Sequence, residues 1–348
     1  MLACASLALV LAVSDPPPRE PLVLCGLSAA GVAELEAACG KDSGIVVRAV
    51  PANALQDVIA ADQAAVVAAY GFPVPTLRAA VRAQLLAPLA ESVEVEARDL
   101  LDAQRSAVPL FIDPVVVARG AAGDAAWQPT WDAVDLGGSA EALVFESPRP
   151  GTATAAWFAA LSARDAESAL ERIARLTQAA GPNLVDDATA AVARVQALGP
   201  RAFAIVRRSD ARRAPSLVFD DLAQAAVESP AVLLGCSLGF GASGVDPERV
   251  KTLLGRDLAR RIADAEGWSL ALPVDATAPE LVATRRLLAR TVDGEADVLT
   301  ALAVQRHVRR DDGAEQVSEW FDVAAMVVLV GAVTAYLWRR RKADAAAG

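Results

Sequence analysis

The sequence predicts an α/β fold of two lobes, with parallel sheet covered by helices, and three observations predict it. Short apolar runs of strand length alternate with helix-length segments in β-α-β-α-β order over the first quarter of the chain. A second set of strand-like and helix-like segments follows a long strand-rich stretch at Val108 to Gly120. The chain has 348 residues, more than one small core usually needs, which favours two domains or one domain of two lobes.

In chain order, PLVLCGL (Pro21 to Leu27) is a strand, and Ser28 is placed to cap a helix from Ala29 to Ala38 that Gly40 stops. GIVVRAV (Gly44 to Val50) is a second strand, and Asn53 opens a helix to about Asp62. AAVVAAYG (Ala64 to Gly71) is a third strand, and PTLRAAVRAQLLAPL reads as one helix. Later strands are expected at Leu143 to Glu146, in RAFAIVRRSD, in PSLVFDD and in SPAVLLG. Helices are expected at Ala155 to Arg164, Ala166 to Ala179, Asp187 to Leu198, Pro247 to Ala265 and Pro279 to about Val292. RGAAGDAA (Arg119 to Ala126) has the composition of a loop.

Composition excludes several function classes. A net charge of -10 argues against nucleic acid as a partner, which would call for a basic face. The four cysteines, Cys4, Cys25, Cys39 and Cys236, form no CxxC pair. Buried free thiols are expected, with a Cys25–Cys39 pair as the alternative. The single histidine, His307, lies in the charged stretch RHVRRDD and leaves no partners for a His-based triad or a multi-His metal site. CSLGFGASG (Cys236 to Gly244) is glycine-rich, but no Walker lysine follows it, and GCSLG is not G-x-S-x-G. It reads as a flexible turn. Asp186/Asp187, Asp220/Asp221 and Asp311/Asp312 sit in polar, turn-like stretches and read as caps or solvated faces. No enzyme, catalytic residue, cofactor or metal site is expected.

Both termini point to a membrane. Residues 1–14 resemble a signal peptide, with Ala12 and Ser14 as small residues before a cleavage site, although no Lys or Arg precedes the apolar run. A lipoprotein box around Cys4 is the alternative. At the other end, the uncharged run Val323 to Trp338 would span about 24 Å as a helix, against about 30 Å of hydrocarbon. Trp320, Tyr336 and Trp338 suit the interfaces, and Arg339, Arg340, Arg341 and Lys342 follow. A transmembrane helix over 321–338 is expected, with a cytoplasmic tail at 339–348 and the body outside; a buried core helix is the alternative.

The stretch FESPRPGTATAAWFAAL, Phe145 to Leu161, ends a strand and starts a helix within six residues. A helix N-terminus leaves N–H groups unpaired and carries partial positive charge, so Gly151 and Thr152 are placed to hold an anion or simply to cap the helix.

An ordered set of segments resembles the periplasmic solute-binding proteins of the ferric-iron, polyamine, thiamine and phosphonate ABC-transporter type. LVLCGLSAAGVAELEAACGKDSGIVVRAV resembles their first strand, helix and second strand, and PLFIDPVVVA their crossing strand. QPTWDAV resembles their P-x-S-W-x-D-L segment, ESPRPGTAT their D-P-x-x-S-G-T turn, and AEGWSLALPVDATAPE their G-x-x-P-V-x-x-x-A ending. The resemblance covers roughly Pro21 to Glu280 and implies a type II periplasmic-binding-protein fold. It places lobe 1 over 20–112, lobe 2 over 113–215 and a return to lobe 1 over 216–318. It implies an ABC importer's solute-binding protein that closes on a small anionic solute and works with a permease; the membrane tether expected from the C-terminal run departs from the family, whose members are normally free in the periplasm or held by a lipid. Ser28, Tyr70, Arg149, Gly151 and Thr152 would hold that solute. The chain departs from the pattern at Ser147 and Pro150, the latter removing one N–H donor. Its only tyrosines are Tyr70 and Tyr336, so it lacks the neighbouring pair of the ferric-binding members. Of the aromatics that a cation box would use, Tyr70 and Phe72 end the third strand, while Trp131 and Trp157 read as core. The competing expectation is a degenerate binding fold serving as a membrane-anchored interaction or sensor module, distinguished by whether a polar, ligand-sized cleft is present.

Overall fold

The computed structural model describes residues 20–40, 43–90, 93, 97–121, 142–199, 201–219, 229–271, 279–291, 294–295 and 297–302. The expectations for residues 1–14, QPTWDAV, Asp220/Asp221, His307 and the 321–338 segment lie outside these residues. No helix of the described residues is long and apolar enough to cross a membrane.

The first three strands are β1 (Leu22–Cys25), β2 (Val46–Ala49) and β3 (Val66–Pro73), separated by helices α1 (Ala29–Cys39) and α2 (Leu55–Asp62). β1 pairs in parallel with both β2 and β3. β1 and β3 are buried at every position, as uninterrupted apolar runs covered on both faces should be. α3 (Val74–Arg82) follows β3 without a loop and ends seven residues before the expected Leu89, where Gln84 takes a positive φ of 58°.

β4 (Val108–Gly120) is one continuous strand of 13 residues that serves two partners. Val108–Pro114 lies antiparallel to β9 (Ala231–Leu238), and Val115–Arg119 lies antiparallel to β7 (Phe203–Arg207). Pro114, which has no N–H to offer a ladder, stands at the handover. Beside it, buried Asp113 accepts hydrogen bonds from Ser209 N–H (3.2 Å) and the Ser209 hydroxyl (2.5 Å). Beyond β4 come β5 (Leu143–Glu146), α4 (Ala153–Arg164), α5 (Ala166–Ala180), β6 (Leu184–Val185) and α6 (Ala188–Leu198). β7 then runs straight into the short helix α7 (Arg208–Arg213), and β8 (Leu217–Val218) follows. β5 pairs in parallel with β6 and β7, giving the order β2-β1-β3-β9-β4-β7-β5-β6 among the described strands. β8 and β10 (Ser269–Leu270) pair with β4.

Three expectations are corrected here. CSLGFGASG is not a flexible turn throughout: Cys236 to Leu238 continue buried β9, and Phe240–Gly244 forms a 3-10 helix. Gly239 between them is required, since a Cβ there would stand 2.1 Å from the Val66 carbonyl oxygen. The helix expected from Pro247 to Ala265 is two, α8 (Pro247–Leu253) and α9 (Arg256–Glu266), parted at Leu254-Gly255. Ser28 occupies the N-cap position of α1, but its side chain makes no capping bond. α10 (Pro279–Thr291) follows, and residues 294–295 and 297–302 are helical as well.

Burial follows side-chain chemistry. Trp157 is core, as expected, packed with Phe145 and Phe158 at ring-centre distances of 5.7 and 5.0 Å. Cys25, Cys39 and Cys236 are free and buried, so the disulfide alternative falls away. Burial raises the pKa of all three thiols, Cys25 to about 11, which makes them inert small apolar groups.

Candidate functional site

The carboxyl ends of parallel strands are where an open α/β sheet leaves room for a ligand, and here two such sets face each other across one cleft. Its volume is about 1100 Å3. From the ends of β1, β2 and β3 come Leu27, Val50, Pro51, Phe72 and Pro73, with Asp57 on α2. From the ends of β5, β6 and β7 come Glu146, Asp186, Asp187 and Arg207, with Arg149, Gly151 and Thr152 on the turn into α4.

The turn is tightly specified. The Thr152 hydroxyl accepts from Ala155 N–H at 3.2 Å as a helix cap and donates to the Arg149 carbonyl at 2.9 Å. Gly151 has φ +81°, and a Cβ there would come within 2.2 Å of the Pro73 Cβ, so only glycine lets this turn rest against the end of β3. The Gly151 N–H donates to the Glu295 carboxylate at 2.5 Å. Burial pushes the Glu295 carboxyl up to about 7, against the lowering pull of that N–H and of Arg78. The Arg149 guanidinium reaches the Asp186 backbone carbonyl and is otherwise exposed.

Glu146 lies on the cleft and is only 7% exposed. Among the described residues its carboxylate makes no hydrogen bond and no ion pair. Burial pushes its pKa up to about 7; Arg207 and Arg149 oppose this, while Asp210 and Asp187 add to it. Arg207 is committed elsewhere: its Nε donates to Asp210 Oδ2 at 2.7 Å and its Nη2 to Oδ1 at 3.4 Å. Burial works against the Arg207 charge, yet Asp210, Asp113 and Glu146 hold its pKa above the ordinary value.

The structure brings three of the five expected residues, Arg149, Gly151 and Thr152, to the cleft. It places the other two elsewhere. Tyr70 is fully buried with its ring 5.9 Å from Phe111, and its hydroxyl has no partner among the described residues. Ser28 offers its N–H not to the cleft but to Glu266 Oε1 at 2.7 Å; the other Glu266 oxygen is held by Arg213. Sequence reasoning missed Glu146, Asp186, Asp187 and Arg207. The signal was their place as polar residues at the last position of, or just after, an apolar strand. Asp187 is also the cap it was expected to be, accepting from Ala190 N–H at 2.8 Å. No group of three or more His, Cys, Asp and Glu side chains suited to a metal ion occurs among the described residues.

No protein-family model matches the chain, and no curated protein sequence does. Solved structures match in fold. The iron-bound HitA of Pseudomonas aeruginosa superposes with a TM-score of 0.59 at 14% identity, covering 85% of this chain and 100% of its own. A Trichodesmium protein (IdiA, FutA) in complex with iron and citrate gives 0.58 at 11%, covering 81% and 98%. A two-component system protein that mediates signal transduction gives 0.53 at 12%, covering 73% and 87%. The fold is therefore the mixed α/β fold of type II periplasmic solute-binding proteins.

Proposed function

We propose that this chain is an extracytoplasmic solute-binding protein that closes two lobes, 20–112 with 216–318 and 113–215, on a small solute and presents it to an ABC importer. One observation carries the reading: the strand ends of both halves converge on a cleft of ligand size with charged groups on its surface. Hinge closure around a ligand is the known behaviour of this architecture. The membrane tether at 321–338, with the body on the outer side, belongs to the same proposal and rests on the sequence alone. An anionic group of the solute would meet Arg149, whose guanidinium makes its one hydrogen bond among the described residues to a neutral carbonyl. Thr152 and Gly151 frame that position, although the Gly151 N–H is already engaged by Glu295.

A second reading has its own support. Two N–H groups at helix starts, of Ser28 and Gly151, are each occupied by a carboxylate of the chain itself, Glu266 and Glu295. That pattern suits a binding fold kept as an interaction or sensor module, in which internal groups stand where solute atoms would.

The test is a thermal-shift screen of the full chain in mild detergent against ferric iron, phosphate, sulfate, phosphonates, polyamines and thiamine phosphates. A solute at about 100 times its dissociation constant adds roughly 2.7 kcal/mol of stability. One saturable shift is expected. A folded chain that responds to no small solute would favour the sensor module.

A further inference from the structure

The cleft holds two opposite charges that make no ion pair among the described residues. Glu146, more than nine-tenths buried, lies on the cleft at the end of β5 with no hydrogen bond or ion pair to its carboxylate among the described residues. Three residues on, the exposed Arg149 guanidinium makes one hydrogen bond among the described residues, to the neutral Asp186 carbonyl. The other cleft arginine, Arg207, has its charge matched by Asp210. The side chains of Asp57 and Asp186 also lie on the cleft without a hydrogen bond or ion pair among the described residues. A buried carboxylate without a partner is costly unless something compensates it. The compensation within reach is a ligand cation, with hydrogen-bond donors directed at the carboxylate oxygens.

We propose that the cleft binds a compact zwitterion, its ammonium seated on Glu146 and its acid group on Arg149 at the rim. This rests on the solute-binding reading and deepens it by naming the solute class. A metal ion is the poorer occupant, because no group of three metal-ligating side chains stands here among the described residues. A simple anion is also poorer, because the buried group on the cleft that has no hydrogen bond or ion pair among the described residues is a carboxylate. The charged groups around Glu146 are Arg207, Asp210, Arg149 and Asp187. Burial pushes its carboxyl up to about 7. A cation requires the ionised form, so affinity falls as pH drops through that value and binding near neutrality releases a proton.

Calorimetric titration of the full chain in detergent at pH 8 tests this. The probes are glycine, 4-aminobutyrate and 6-aminohexanoate, each set beside the amine and the acid that lack one of its charges. At least one zwitterion is expected to bind at least tenfold more tightly than both counterparts. Glu146→Gln should abolish the advantage over the acid, and Arg149→Gln, at an exposed position, the advantage over the amine. The assignment is overturned if no zwitterion binds more tightly than both its counterparts, or if both variants leave the advantage intact. It is also overturned if all nine compounds are silent. Should an anion from the broader solute screen bind in any of those cases, the solute-binding reading stands and only the zwitterion falls.

Discussion

The two walls of the cleft are built by the same local recipe, parallel strands ending beside helix starts, yet they carry different chemistry. The wall from β1, β2 and β3 is mostly apolar, with Leu27, Val50, Pro51, Phe72 and Pro73. The wall from β5, β6 and β7 is mostly charged, with Glu146, Arg149, Asp186, Asp187 and Arg207. A fold of this kind therefore does not distribute recognition evenly. Most of the cleft's charges stand on one wall, with Asp57 the exception on the other, and they would act more strongly wherever water is excluded.

The largest effect should come from the apolar wall. Phe72 is fully buried, so Phe72→Ala should destabilise the chain by about 3–5 kcal/mol in urea unfolding. A loss under about 1 kcal/mol would mean that packing does not hold this wall. Gly151→Val attacks the contact between the walls. It forces a side chain into φ +81° and into Pro73, and a loss of about 3 kcal/mol is expected, together with weakened solute binding in the thermal-shift assay.

The charged wall should respond in the opposite direction. The Glu146 carboxyl has a folded pKa of about 7 against an ordinary 4.5. Its protonated form is the one the fold favours, so the stability linked to it is fully present below about pH 4.5 and is lost as pH rises through about 7. Glu146→Gln should leave stability little changed at pH 4.5 and raise it by up to about 3 kcal/mol at pH 8. Equal effects at both pH values would show that Glu146 is not a buried, uncompensated acid.

The smallest effect separates two caps that look alike in sequence. Thr152 caps α4 through Ala155 N–H, whereas the Ser28 side chain makes no capping bond at α1. Thr152→Ala should lose about 1 kcal/mol, and Ser28→Ala should stay within about 0.5 kcal/mol. Equal losses would put the two helix starts on the same footing.

How much of the site was legible follows from the kind of signal each residue carries. Gly151, Thr152 and Arg149 stand in a strand-to-helix turn that sequence marks locally with proline, glycine and a capping residue. Tyr70 also stands at a strand end, but β9 and Phe111 cover it, and no local pattern reports cover from segments far along the chain. The division of Pro247 to Ala265 into two helices had a local sign in Gly255.

By itself the sequence determined the alternation of strands and helices, the long strand Val108–Gly120, the burial of Trp157 and the free, buried state of the described thiols. Those follow from apolar periodicity, propensity and hydrophobicity, which are properties of neighbouring residues. Only the tertiary structure decided that Glu266 and Glu295 occupy the N–H groups of Ser28 and Gly151, and that Glu146 lies buried at the cleft without an ion pair among the described residues. Charge compensation depends on which groups meet through space. The chain brings Glu295 to Gly151 across 144 positions, and only folding makes them neighbours.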